Sequence, residues 1–231
     1  MLALVGSGEY LPGMDPVDRE LIRRLPEATR VVCLPTAAGQ EGAERIAYWT
    51  RLGVDHFARL GAHVEAVPVI DAASAHNPDL AHAIAGANFV YLSGGKPGYL
   101  YQTLAGSPAW QAIQSVLAHG GLLAGCSAGA MILGEKILGF PFLKSGFNFL
   151  PGSLVMPHYD EISKNLRTVI RVMAGPAQTV LGVEGYTALV VNGAQAEVLG
   201  SGGVTVWDRT GPTRYLQGPL PVSLKARPSM A

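Results

Sequence analysis

Residues Gly125-Cys126-Ser127-Ala128-Gly129 spell Gly-x-Ser-x-Gly directly after the apolar run Gly121-Leu122-Leu123-Ala124. A serine at the centre of such a pentad is expected on a sharp turn between a buried strand and a helix, a nucleophile elbow. The flanking glycines let the backbone take a strained path and let neighbouring segments come close. The Ser127 hydroxyl then projects beyond the sheet, where a base can reach it. N–H groups at the start of the following helix favour a developing oxyanion. The chemistry this suggests is attack on a carbonyl carbon. The same pentad also occurs as a plain turn of small residues, so the rest of the chain has to supply the partners.

A serine nucleophile needs a base within hydrogen-bond reach and a group that orients the base. The chain has six histidines. His56, His63, His76, His82 and His119 sit around helix ends and polar loops, and read as surface or capping residues. His158 differs. It follows Leu154-Val155-Met156-Pro157 and precedes Tyr159-Asp160, at the expected carboxyl end of a strand. Chain order then discriminates between acids. An α/β-hydrolase runs Ser, acid, His. The one carboxylate between Ser127 and His158 is Glu135. On a helix leaving the turn it would lie roughly 12 Å beyond Ser127, out of reach. The order Ser, His, acid makes Glu184 available, between Val180-Leu181-Gly182-Val183 and Gly185. A carboxylate among such apolar residues needs a partner, and a histidine N–H is a suitable one.

The elements that must position these groups alternate. Residues 2–5, 30–34, 64–70, 88–92 and 121–124 read as strands. Residues 15–25, 41–60, 78–85, 99–104 and 108–118 read as helices, with Asp15 and Asn77 as N-caps and Pro16 and Pro78 in the first turn. Alternation predicts an α/β fold: a mostly parallel, doubly wound sheet with helices on both faces. Gly6-Ser7-Gly8, Thr36-Ala37-Ala38, Gly94-Gly95 and the Ser127 turn all fall at carboxyl ends of strands, where such folds place their sites. Beyond Asp160 the pattern changes. Residues 161–173 read as a helix, followed by short strands at 180–183, 188–191, 196–199 and 204–207, with Asn192-Gly193 as a turn. The expectation is one domain over 1–231: an α/β core (1–160), a helix-plus-strand extension (161–217) and a tail (218–231) without clear pattern.

Composition bounds the partners. The 231 residues are 48% hydrophobic and 15% charged, with 17 basic against 17 acidic side chains. That permits a large core and argues against a nucleic-acid binder or a basic membrane-surface protein. No apolar run reaches the roughly 18 residues of a membrane span. The first six residues carry no basic region or cleavage site. The two cysteines, Cys33 and Cys126, sit in unrelated apolar runs, which suits a reducing compartment. A cytoplasmic location is expected, and a homo-oligomer stays open. No Cys/His cluster has zinc spacing. No Gly-rich loop matches a P-loop or a full dinucleotide fingerprint, Gly6-x-Gly8 being too short. Neither metal nor cofactor is expected.

Taken together, Tyr91-Leu92-Ser93-Gly94-Gly95, Gly125-Cys126-Ser127-Ala128-Gly129-Ala130, Gly146-Phe147-Asn148, Pro157-His158-Tyr159 and Glu184-Gly185 resemble peptidase family S51, which contains aspartyl dipeptidase (dipeptidase E) and cyanophycinase. The resemblance implies a fold like that of class I glutamine amidotransferases and a Ser-His-Glu triad. Ser127 would be nucleophile, His158 base and then acid, and Glu184 the orienting carboxylate. The N–H groups of Gly95 and Ala128 would form the oxyanion hole. The implied activity is a serine peptidase acting on short peptides, Asp-containing ones among them, with Lys96 and Arg167 as candidate substrate-binding cations beside Lys164 and Arg171. Glutamine amidotransferases carry cysteine at the centre of the elbow. Here Cys126 is one position early and reads as a packing residue. Where cyanophycinase-like members carry several arginines after the histidine, the stretch 162–167 has only Lys164 and Arg167 as basic residues, which weakens transfer of the polymer-cleaving activity. Two other functions use the same residues: a binding module that has lost catalysis, and an esterase for small acyl esters.

Overall fold

The computed structural model describes residues 1–139, 141–221 and 224. Its first half alternates as the sequence predicts. In chain order come β1 (Leu2–Val5), α1 (Asp15–Arg23), β2 (Arg30–Leu34), α2 (Ala43–Arg59), β3 (His63–Ala66), α3 (Ala72–Ala75) and α4 (Pro78–Ala85). Then follow β4 (Phe89–Leu92), α5 (Pro97–Leu104), α6 (Pro108–Ala118) and β5 (Leu122–Cys126). These five strands pair in parallel in the order β3-β2-β4-β5-β1. β1, β4 and β5 are buried at every residue. Continuous apolar runs are what parallel strands need when helices cover both faces.

Side-chain alternation sorts each strand between two cores. Leu2, Leu4, Val90, Leu92 and Leu123 face one core with Ile84 of α4, Leu100 of α5 and Ile113 of α6. Ala3, Val5, Phe89, Tyr91 and Ala124 face the other with Val17 and Leu21 of α1 and Phe57 of α2. α1 begins one residue earlier than a capping Asp15 would require: Met14 precedes it without a side-chain cap, and Asp15 is its first residue. The Asp15 carboxylate instead pairs with Arg59 of α2. β3 stops at Ala66 rather than running to residue 70, because Pro68 cannot donate to a ladder.

Beyond β5 the chain builds a second sheet. α7 (Ala128–Met131), β6 (Gly134–Ile137), β7 (Lys144–Ser145), β8 (Leu150–Met156), α8 (Lys164–Ala174) and β9 (Thr179–Val183) follow in order. β10 (Thr187–Asn192), β11 (Gln195–Gly200), β12 (Val204–Asp208), β13 (Gly211–Tyr215) and β14 (Gly218–Pro219) complete the elements. β10, β11 and β14 add to the first sheet beyond β1, all antiparallel to their neighbours. The second sheet runs β13-β12-β9-β8-β6-β7. The tail expected to be patternless therefore supplies an edge strand at Gly218–Pro219, while its residues 222, 223 and 225–231 lie outside the described residues.

The expectation of a two-turn helix leaving Ser127 is corrected. α7 is one turn, because the Ile132 and Leu133 carbonyls that a longer helix would use accept instead from the N–H groups of Phe147 and Phe149. Glu135 lies on β6, where its carboxylate accepts from the Gly152 N–H at 2.7 Å and from Gln178 Nε2 at 3.1 Å. Those two partners, on β8 and just before β9, place its carboxylate in the second sheet.

Leu4 is completely buried on β1 between β5 and β10. Leu4→Ala is expected to cost about 3 kcal/mol through lost burial and an unfilled cavity. A urea titration of both proteins checks this through the shift in midpoint.

Candidate active site

Ser127 leaves the end of β5 at φ 51°, ψ −110°. A non-glycine residue in this left-handed region stores about 1–3 kcal/mol of strain and persists only where its surroundings over-determine it. They do so here. The Ser127 N–H donates to the Val5 carbonyl at 3.0 Å, and its own carbonyl accepts from the Met131 N–H at 3.0 Å, opening α7. Gly125 lies against the backbone of Gly129, and a Cβ on Gly129 would come within 2.5 Å of the Leu92 carbonyl. Any side chain at either position would separate β5, α7 and β4.

His158 follows β8 and reaches Ser127 from the second sheet. Its Nε2 lies 3.1 Å from Ser127 Oγ. With Nε2 accepting from the hydroxyl, Nδ1 carries the proton, a tautomer assigned from the hydrogen bonding. The main chain fixes the ring's origin. Tyr159 N–H donates to the Val183 carbonyl at 3.1 Å, registering the His158 loop with the end of β9. The Tyr159 ring packs directly on Gly182.

The expected third member is placed differently. The Glu184 carboxylate accepts from Arg214 Nε at 2.6 Å, from Arg214 Nη2 at 2.7 Å and from the Gly203 N–H at 2.9 Å. No hydrogen bond joins it to His158 among the described residues. The carboxylate nearest to His158 Nδ1 is that of Glu161, at 3.5 Å and well exposed, beyond the length of an ordinary hydrogen bond. The Arg214 guanidinium, followed by the Gly203 N–H, holds the Glu184 carboxyl below the usual glutamate range.

The two expected oxyanion donors flank Ser127. Ala128 is the first residue of α7. A Cβ on Gly94 would approach the Ser127 Cβ to 3.3 Å and its Oγ to 3.8 Å, so the Gly94-Gly95 turn abuts the hydroxyl. Neither the Gly95 nor the Ala128 N–H donates to another group among the described residues. Lys96 is exposed and its Nζ lies 3.4 Å from Gln40 Oε1. Arg167 donates from Nε to the Ile162 carbonyl at 2.8 Å, and its guanidinium sits 4.4 Å from the Tyr159 ring centroid. It lines a cavity of about 410 Å³ together with Lys164, Arg214, Tyr159 and Trp207. The cavity's three cations suit an anionic group. Arg171 turns away, donating to the carbonyls of Gly175 and Gln178.

Sequence reasoning missed three residues. Arg214 carries no local signal, since it meets Glu184 across 30 residues. Glu161 is legible only as a carboxylate three positions after His158. Glu9 ends the Gly6-Ser7-Gly8 turn and is buried, accepting from the Gly94 N–H and the Cys126 thiol, both at 2.9 Å. Cys126 is buried with its thiol donating to Glu9, and burial pushes its pKa far up, in keeping with a packing residue. Among the described residues no helix is long and apolar enough to cross a membrane.

Two solved structures share this architecture, and both are peptidases by name. A peptidase from an acI-B1 Actinobacterium is 32% identical over 94% of each chain, with a TM-score of 0.85. The "Putative Peptidase E Protein" of Listeria monocytogenes EGD-e has a TM-score of 0.64 at 18% identity, covering 87% of this chain and 98% of its own. The chain belongs to peptidase family S51, whose model matches residues 2–199. No curated relative matches the sequence.

The Glu184–Arg214 pair gives a pH-dependent expectation. A carboxyl held below its ordinary value of 4.5 contributes stability that is present above that pH and lost as pH falls through the lowered folded value. Arg214 is half exposed, so the contribution is under about 1 kcal/mol. Arg214→Gln should lower the urea midpoint slightly at neutral pH, and the gap from the wild type should close on acidification below 4.5.

Proposed function

We propose that the protein is a serine peptidase that cleaves short peptides through an acyl-enzyme on Ser127. The observation that carries this is the 3.1 Å contact between His158 Nε2 and a Ser127 held at positive φ on the end of a buried strand. His158 removes the hydroxyl proton as Ser127 Oγ attacks the scissile carbonyl. The tetrahedral oxyanion is received by the Gly95 and Ala128 N–H groups. As the intermediate collapses, the imidazolium gives its proton to the leaving amine. Water, deprotonated by His158, then releases the acyl group and restores Ser127. Each step uses groups of this chain alone. A reducing, cytoplasmic setting belongs to this proposal and suits two free, buried cysteines.

Glu184 keeps its place in the proposal as the orienting carboxylate. It is largely buried and held ionised, and the bond from Tyr159 to Val183 keeps the strand end before it beside the His158 loop. To serve His158 it must exchange Arg214 for the imidazole N–H. The cavity lined by Arg214, Arg167 and Lys164 supplies a reason for that exchange. An acidic substrate group entering it competes for Arg214. That favours Asp-containing peptides, with Arg167 as the first contact and Lys96, on the other side of the turn, as a weaker one. A second reading has a specific observation behind it: Glu161 already faces Nδ1 at 3.5 Å. An exposed carboxylate is screened by water and orients poorly.

Ser127→Ala is expected to lower peptide turnover by at least about three orders of magnitude and to abolish labelling by a fluorophosphonate. Peptide hydrolysis at the wild-type rate in that variant removes Ser127 as the nucleophile, and a wild-type protein that neither cleaves peptides nor takes the label at any pH leaves a binding module. For the acid, Glu184→Gln should reduce kcat by about 10²-fold or more while Glu161→Gln costs less than about 3-fold. The reverse order assigns the orienting role to Glu161.

A further inference from the structure

Glu9 is a buried carboxylate that the proposed acyl-transfer chemistry leaves without a role. It stands at the end of the loop that leaves β1, on the same rim as the Gly94-Gly95 turn after β4 and Ser127 after β5. Its two oxygens divide between those two segments. Oε1 accepts from the Gly94 N–H at 2.9 Å, and Oε2 accepts from the Cys126 thiol, one residue before Ser127, at 2.9 Å. Neither partner is a cation. A buried carboxylate held by neutral donors is costly compared with an apolar residue of similar volume. Packing alone does not account for it.

The geometry of the turn gives it a purpose. A Cβ on Gly94 would sit 2.7 Å from Glu9 Oε1, so the backbone lies flush on the carboxylate. On the far side of the turn the Lys96 N–H donates to the Ala37 carbonyl at 3.0 Å. The turn is therefore clamped at residues 94 and 96. The Gly95 N–H lies between the two clamps and stays uncommitted among the described residues, one residue on from Gly94, which abuts Ser127. We infer that Glu9 is a positioning residue for the oxyanion hole: it fixes the Gly94 peptide against the Ser127 turn so that the Gly95 N–H meets the oxyanion without reorganising. This rests on the peptidase function proposed above. Glu9 touches neither substrate nor reacting atoms and acts through the turn.

The test uses the full-length protein and a peptide it cleaves. Glu9→Leu removes both acceptors. It is expected to lower kcat by about 10²-fold, the loss typical of one oxyanion donor, with KM within about 3-fold. Glu9→Gln keeps one neutral acceptor for Gly94 and should retain kcat within about 10-fold of wild type, yet below it. The readout that a general loss of structure would not reproduce is affinity for a peptide aldehyde, which forms a tetrahedral adduct on the serine. Its inhibition constant should weaken by the same factor as kcat/KM in each variant, while binding of the non-covalent peptide product stays unchanged. If Glu9→Leu does not fold, Glu9→Gln carries the test: a 3- to 10-fold loss tracked by the aldehyde supports the inference. Wild-type kcat in a folded Glu9 variant overturns it, as does a loss of kcat without loss of aldehyde affinity. A wild-type protein that neither cleaves peptides nor takes a fluorophosphonate defeats the peptidase assignment itself, and the inference falls with it. An active wild type with indifferent Glu9 variants defeats the inference alone.

Discussion

The site depends on one constraint: β5 ends in the buried middle of a parallel sheet, and the chain must turn there without a spacer. The turn can be that tight because Gly125, Gly129 and the Leu92 carbonyl meet backbone to backbone. Nothing larger than hydrogen fits between them. The cost appears at Ser127, whose backbone is pushed to positive φ. The sheet can hold that strain because β5 is paired on both sides, by β1 and β4, and each of the three strands is buried throughout. A strained residue of about 1–3 kcal/mol is small beside the apolar area that those strands bury.

The two reacting groups come from different sheets. Ser127 belongs to the first and His158 to the second, and their 3.1 Å contact spans the join. The chain itself makes that join at Glu184-Gly185-Tyr186, where β9 of the second sheet passes into β10 of the first. The corner is tied down from several directions. Gly185 N–H donates to Asp160 Oδ1 at 2.9 Å, and Tyr186 N–H to the Ser7 carbonyl at 3.1 Å. Tyr186, also at positive φ, lays its ring over Gly8 and Gly13. The β1 loop, the His158 loop and the corner are thus one bonded unit. The distance from base to nucleophile is set by how the sheets are stitched, not by either sheet alone.

Much of this was legible in the chain, for reasons that can be named. The parallel half announces itself through continuous apolar runs, each closed by Gly, Pro or Ser, and through prolines at helix starts. Ser127 and His158 both end such runs, and each stands where a carboxyl-terminal rim is expected. The second sheet was harder to see. β7 has two residues and β6 four, of which two are half buried, so neither gives a clean alternation. Read from the sequence alone, the segment after Ser127 continues as a helix that carries Glu135. The partner of Glu184 was invisible for a different reason. Arg214 meets it across the β9–β12–β13 ladder, and no local pattern records a pairing between strands. Glu9 carries no sequence signal of its own, since the Gly-x-Gly turn before it is too short for a nucleotide loop. Its significance is the carboxylate that follows the glycines.

Arg214 stands on β13, an outer strand of the second sheet, and beyond residue 199, where the match to the family ends. The group that holds Glu184, and that shares a cavity with Arg167 and Lys164, thus comes from a hairpin at the edge of the second sheet. Ser127, His158 and the turns around them are locked to a core that tolerates little. The β12–β13 hairpin, by contrast, is joined to its sheet along one side, by β9. Exchanging it would alter the charge offered to a ligand and the grip on Glu184 in one step, leaving the strained serine and its sheet as they are.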